Sequence, residues 1–155
     1  MVITLKNVKI YAGLSEETIA FNASVYIDGK KVGDAKNAGH GGANDVDVRD
    51  KDGRWNRDLL KEMEVEASTH TWMWEGKTHD HSLDSYIGDL VGDVQLQRDL
   101  KRECKKKTLY RLPTKTYEEG TYLVLKEKFD DKVKAYLIER HGDKVEILNE
   151  TMRSN

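Results

Sequence analysis

Phe21-Asn22-Ala23-Ser24-Val25-Tyr26-Ile27-Asp28-Gly29-Lys30-Lys31-Val32-Gly33-Asp34-Ala35 is the stretch on which the fold turns. Phe21, Ala23, Val25 and Ile27 take alternate positions, so an extended chain carries all four on one face. Such a strand buries its apolar face and leaves the other in water. Asp28-Gly29 then supplies two residues that tolerate positive φ, the signal of a type I′ hairpin turn, and residues 31–35 return as the partner strand. Toward the N-terminus, Ile3, Leu5, Val8 and Ile10 alternate with a slip at Lys6-Asn7, which reads as a β-bulge. The economical arrangement is a three-stranded antiparallel meander.

Past the meander the pattern changes. Residues 45–53 alternate Asp, Val and Lys or Arg, as a short exposed strand or linker would. Trp55, Leu59, Leu60 and Met63 recur at helical spacing, with Asp52 placed to cap that helix and Trp55 expected in the core. An aromatic loop follows at residues 68–76. A second helix is expected from Ser82, with Leu83, Ile87, Leu90, Val91 and Val94 as its apolar stripe, continued by Leu100 and a buried Cys104. Its basic end, running to Lys107, complements the helix dipole. Residues 109–112 and 122–125 read as two later strands. Phe129-Asp130-Asp131 provides a staple residue and a cap, and Gly142 a stop, for a helix over 131–141. Ile147 and Leu148 are expected to dock the tail, leaving residues 151–155 frayed. The expected fold is α+β, an antiparallel sheet covered on one face by two or three helices, in a single domain over residues 1–150.

Composition narrows the function classes. The chain has 155 residues, 26 basic and 28 acidic, so net charge gives no general attraction to nucleic acid or to an anionic membrane. Cys104 is the single cysteine, so no intramolecular disulfide can form. The opening residues lack a basic-then-apolar leader profile, and no apolar run approaches a membrane span. A cytoplasmic protein is expected by elimination.

The most unusual stretch is Asn37-Ala38-Gly39-His40-Gly41-Gly42-Ala43-Asn44. Glycines let successive N–H groups face one side as an anion-holding nest, and His40 could add a donor, a base or a metal bond. No Gly-Lys-Ser/Thr follows, and the Gly-x-Gly-x-x-Gly spacing is absent, so neither nucleotide fingerprint applies. The same residues also suit a tight irregular turn in which Gly41 and Gly42 take backbone conformations that side chains resist. Both uses remain open at this level, with Asn37, Gly39, His40, Gly41, Gly42 and Asn44 as candidate ligand or partner contacts.

That loop, together with Arg111-Leu112-Pro113, Phe129-Asp130-Asp131-Lys132-Val133-Lys134 and Tyr136-Leu137-Ile138-Glu139, resembles a family of small uncharacterised bacteriophage and prophage proteins. Members similarly carry a Gly-His-Gly-Gly turn after an N-terminal hairpin and a terminal Asp-x-Val-Lys helix. The resemblance implies a phage origin and carries over no functional residue.

Other chemistry-bearing groups have modest alternatives. His70, His79 and His81 are metal-ligand types without a fixing spacing, so no stoichiometric metal is expected. Trp72 and Trp74 fall on one face if their segment is extended, with Met73 opposite, and could anchor a partner. The basic run at 101–107 suits a solvated helix end as well as a phosphate clamp. A Ser/His/Asp triad would have to assemble in three dimensions, since no nucleophile elbow announces one. The leading expectation is a non-enzymatic protein that binds a host protein and blocks a defence system, with no cofactor. Its contacts would be the glycine-histidine loop plus Trp72 and Trp74. The alternative is a nucleotide- or phosphate-binding protein built on residues 39–42.

Overall fold

Strands β1 (Ile3–Ile10), β2 (Phe21–Ile27), β3 (Lys30–Asn37) and β4 (Asp45–Val48) pair in that order as an antiparallel meander in the computed structural model, which describes residues 1–153. The hairpin turn is as the sequence indicates, with Asp28 and Gly29 at φ 47° and 82°. So is the bulge: the β1–β2 register shifts between Lys6 and Lys9, and Asn7 sits at φ 53°. The meander has one strand more than expected, because Val46 pairs opposite Ala35 and Val48 opposite Gly33, and Val48 is fully buried.

Contacts divide the chain into two units, Met1–Val94 and the part from Gln95 onward. In the first, Ile3, Val8, Phe21, Ala23, Val25, Ala35 and Val48 supply the buried face of the sheet. Helix α1 (Arg57–Ser68) adds Met63 and Ala67 to that core, and helix α2 (Leu83–Cys104) adds Leu83, Ile87 and Val91. Each Ile, Leu, Val, Phe or Met side chain among these contributes about 1.5–3 kcal/mol by leaving water, which is why the two helices cover that face. The opposite face carries Asn22, Ser24, Lys36 and Asp45, and is polar.

Two expectations near α1 are corrected. Asn56, not Asp52, caps the helix, its Oδ1 accepting the Leu59 N–H at 3.1 Å. Asp52 instead donates its N–H to Asp50 in the preceding turn. Trp55 is 52 % exposed rather than in the core. It lies before the first helical turn, so the apolar stripe does not include it, and the Arg57 guanidinium stacks 4.9 Å from its ring.

The segment expected as an aromatic loop is a β-hairpin, β5 (Thr71–Trp74) and β6 (Lys77–Asp80), reversing at Glu75-Gly76 with φ 49° and 75°. Ser82 starts α2 as expected, through a reciprocal cap. Ser82 Oγ accepts the Ser85 N–H at 3.1 Å, and Ser85 Oγ accepts the Ser82 N–H at 3.0 Å. The helix stops at Cys104, short of Lys107, and the boundary between the units falls within it. No described helix is long and apolar enough to cross a membrane.

The second unit holds a three-stranded antiparallel sheet in the order β8 (Leu123–Leu125), β7 (Thr108–Arg111), β9 (Glu146–Ile147). Helix α3 (Asp131–His141) begins at Asp130, whose carboxylate accepts the Val133 N–H at 2.8 Å, and ends at Gly142, as the two end signals indicate. Phe129, Leu137 and Ile147 form the core of this unit. The short helix α4 (Leu148–Arg153) includes three residues of the stretch expected to fray; residues 154 and 155 lie outside the described residues.

Candidate functional site

The loop between β3 and β4 is organised by Asn37. Its Oδ1 accepts from Gly39 N at 2.8 Å and from the Thr18 hydroxyl at 2.9 Å. Its Nδ2 donates to the Gly42 carbonyl at 2.9 Å and to Asn44 Oδ1 at 3.0 Å. The Gly39 carbonyl in turn accepts the N–H groups of Glu16, Glu17 and Thr18 at 3.0, 3.1 and 3.4 Å. Gly39 is buried at φ 92°, and a β-carbon there would lie 2.1 Å from the Leu14 carbonyl oxygen, so only glycine fits. Gly41 has the expected positive φ, 86°. Gly42 does not: its φ is not positive and a side chain would meet open space, which corrects that expectation.

These bonds decide what the loop presents. The N–H groups of Gly39 and Gly41 point at Asn37 and Thr18, so two members of the conceivable nest are already engaged. His40, Gly41, Gly42 and Ala43 are exposed, and His40 Nδ1 stands 3.1 Å from the Glu16 carboxylate. An open groove of about 730 Å³ runs beside His40 and Gly42, with Tyr11, Leu14, Asn22 and Lys36 along it. At the end of the loop, Asn44 donates its backbone N–H to Asp84 Oδ1 at 2.7 Å and its side-chain amide to the Asp84 carbonyl at 2.8 Å. The loop is thereby fastened to the first turn of α2.

The β5–β6 hairpin adjoins that same turn. Trp72 pairs opposite His79 and Trp74 opposite Lys77, so these four share one face, while Met73 and Thr78 share the other. Every residue of both strands is exposed; Trp72, Met73 and Trp74 stand at 40 %, 65 % and 60 %. The two strands form a sheet by themselves, with both outer edges unpaired. Expectation and structure agree that Trp72 and Trp74 flank one face, with ring centroids 6.3 Å apart. The structure adds the turn that holds them there. A Trp-x-Trp pattern followed by Glu-Gly and by Lys-Thr was the available signal.

The base of the hairpin is held by rings. His81 is 7 % exposed and lies edge-on to Tyr86 at 5.8 Å and 6.4 Å from Trp72. His79 lies 5.2 Å from Trp72, and His70 stacks on Tyr86 at 4.5 Å. Burial, and secondarily the Glu66 carboxylate, pushes the Tyr86 hydroxyl above its ordinary range. The three histidines therefore gather around aromatic rings. Among the described residues no group of three metal-ligating side chains is formed.

His81 also stands between a serine and an aspartate. Its Nδ1 is 3.0 Å from Ser85 Oγ and its Nε2 is 3.3 Å from Asp89 Oδ2. An ionised Asp89 can only accept, which assigns a proton to Nε2 and leaves Nδ1 of a neutral ring to accept from Ser85. These are the partners of a catalytic triad, yet Ser85 Oγ already receives the Ser82 N–H and lies 3.1 Å from the Ser82 carbonyl. Its single proton is contested by that carbonyl and the imidazole. The arrangement locks the hairpin base onto the α2 cap. A cleft of about 320 Å³ between this cap and the glycine loop is lined by Asn37, Gly42, Asn44, Ser85 and Asp89 among others.

Cys104 is half-buried, less enclosed than expected, and burial followed by the Glu103 charge pushes its thiol up. Comparison of the chain with protein-family models, with curated proteins and with solved structures finds no match to any of them.

Proposed function

We propose that this chain acts by binding another protein, and that its contact surface is the N-terminal end of α2, where the β5–β6 hairpin and the glycine-histidine loop meet. The carrying observation is the exposure of Trp72, Met73 and Trp74 on one short strand. Leaving two indoles in water forgoes several kcal/mol of burial, on the order of 2 kcal/mol each, which a partner recovers by covering them. The His81 and Tyr86 packing holds the hairpin base in place, so little ordering cost falls on the bound state. Lys77 and His79 beside the indoles favour a partner with an apolar pocket rimmed by carboxylates. The resemblance to phage and prophage proteins puts forward a bacterial host protein as partner, with inhibition of a defence system as the consequence.

The same loop as a phosphate cradle draws less support from this geometry. Two of its N–H groups are engaged, and the Glu16 and Glu17 carboxylates lie against His40 and Gly41. An anion approaching there meets negative charge.

The test is a Trp72→Ser/Trp74→Ser double variant. A host protein retained by the wild type should be lost by the variant. The pair remade from purified components should then bind at least about a hundredfold more weakly, with melting temperature unchanged to within about 3 °C. Equal affinity in a folded variant removes the hairpin from the contact surface. Nucleotides that raise the melting temperature, an effect abolished by His40→Ala, would transfer the function to the phosphate reading.

A further inference from the structure

We propose that the cleft at the C-terminal end of α2, within the second unit, binds a small molecule carrying two or more phosphate groups. The cleft has a volume of about 450 Å³ and is lined by Lys101, Cys104, Lys105, Lys128, Asn149 and Met152. Among the described residues that line it, half are cationic and none is acidic. Among the described residues Lys101, Lys105 and Lys128 have no ion pair and no side-chain hydrogen bond. Lys31, Lys36, Lys107 and Lys134, by contrast, each hold a carboxylate. Three unneutralised ammonium groups around one cleft repel each other, and a polyanion between them relieves that repulsion.

Basic residues at a helix C-terminus are ordinarily accounted for by the dipole and the unpaired carbonyls. Here the last three of those carbonyls, of Arg102, Glu103 and Cys104, are served by other groups. The Arg102 carbonyl accepts from Lys105 N at 3.3 Å, and the Glu103 carbonyl accepts from Lys106 N and Lys107 N at 2.9 Å. The Cys104 and Lys107 carbonyls both accept from the buried Asn149 amide, at 2.9 and 2.7 Å. The lysine side chains are left over from capping and line the cleft instead.

Their placement suits phosphate. Lys101 lies in the last turn of α2, Lys105 in the turn that follows the helix, and Lys128 in the segment preceding α3, so charge converges from separate stretches of the chain. Lysine binds phosphate as a point charge, without demanding the planar geometry that arginine does. A cleft of this size falls in the range of small-ligand sites, and Met152 with the lysine stems offers apolar contact to an organic moiety. A nucleic-acid backbone is the less favoured ligand, because the charges converge on one cleft and the whole chain carries a net charge of −2.

ATP and pyrophosphate, titrated calorimetrically in low salt, are the probes. Saturable binding is expected, weakened about tenfold or more in Lys105→Gln/Lys128→Gln, and unchanged in the control Lys132→Gln/Lys144→Gln. Tighter binding of ATP than of pyrophosphate assigns a nucleoside to the site, and equal binding assigns the phosphate chain alone. Cys104 lines the same cleft, so its reaction with a bulky maleimide should slow at saturating probe. The proposal is overturned if neither probe binds saturably, or if the double variant binds as the wild type does. It also falls if Cys104 reacts equally fast at saturation, or if an oligonucleotide binds where both small probes fail. The hairpin lies in the other unit, so this test and the tryptophan test fail independently.

Discussion

Replacing Asn149 with Ala removes one side chain and strands three backbone groups. Asn149 is 2 % exposed, and its Oδ1 accepts the Leu109 N–H at 2.8 Å in a buried bond. Its Nδ2 donates to the Cys104 and Lys107 carbonyls, both partly buried, at 2.9 and 2.7 Å. A buried donor left without a partner costs about 2 kcal/mol, while a carbonyl that water can reach loses about 0.5 kcal/mol. The sum is about 3 kcal/mol, a large loss for a chain of this size. It corresponds to a fall in melting temperature of about 10 °C. Urea unfolding followed by circular dichroism measures the total, and hydrogen exchange at Leu109 isolates the largest part. Protection of that amide should fall by about thirtyfold, since about 1.4 kcal/mol is a factor of ten. Asn149→Asp sharpens the test: it keeps an acceptor for Leu109 but faces two carbonyl oxygens with a carboxylate, so it should be no more stable than the alanine variant. An alanine variant within 1 kcal/mol of wild type, with Leu109 still protected, would refute the claim that this amide ties β7 to the end of α2.

Two further outcomes follow from the first unit. Gly39→Ala combines a left-handed φ with a β-carbon 2.1 Å from the Leu14 carbonyl oxygen. It should cost about 2–4 kcal/mol by thermal unfolding, whereas Gly42→Ala should stay within about 0.5 kcal/mol. The Asp34 carboxyl is held below its usual range chiefly by the Lys31 ammonium, 2.9 Å away, with Ser24 assisting. Its small stabilisation is therefore present above the unfolded-state value and lost as pH falls through the lowered one. Lys31→Met should move the Asp34 titration upward by NMR; an unmoved midpoint would contradict the pairing.

Local chemistry made part of this fold legible. The Phe21, Ala23, Val25, Ile27 alternation, the Asp-Gly turn and the Lys6-Asn7 slip each act within a few residues, and each recurs as a strand, a turn and a bulge. Both ends of α3 were readable for the same reason, since Asp130 bonds a donor only three residues away. The cap of α1 failed because Asp52 and Asn56 are both competent caps. Trp55 failed because periodicity was extended beyond the N-cap, two residues ahead of Arg57. β4 was underread because Asp45 and Asp47 make its outer face as polar as a linker, and only its pairing with β3 buries Val48.

The candidate contact surface was half legible, and the missing half is tertiary. Spacing places Trp72 and Trp74 on one side of any extended chain, and that much needed no fold. Whether the side faces core or water depends on what else packs against it. The first unit fills its core from one face of the meander and two helix stripes, so the hairpin is left with no apolar layer to join. Its position is set from below by His81, which joins Tyr86, Ser85 and Asp89 at one buried ring. Read in sequence, His79-Asp80-His81 suggests a metal pair. In the fold the two imidazoles separate in kind, one exposed on the Trp72 face and the other buried at the hairpin base. The glycine loop divides in the same way. Gly39 is fixed by the Leu14 carbonyl and by Asn37, contacts formed only once residues 14–18 fold back, while Gly42 is free to carry a side chain. Residues that hold the surface thus sit beside residues that form it in both segments, Gly39 before the exposed 40–43 and His81 after the exposed 71–80, and burial tells them apart.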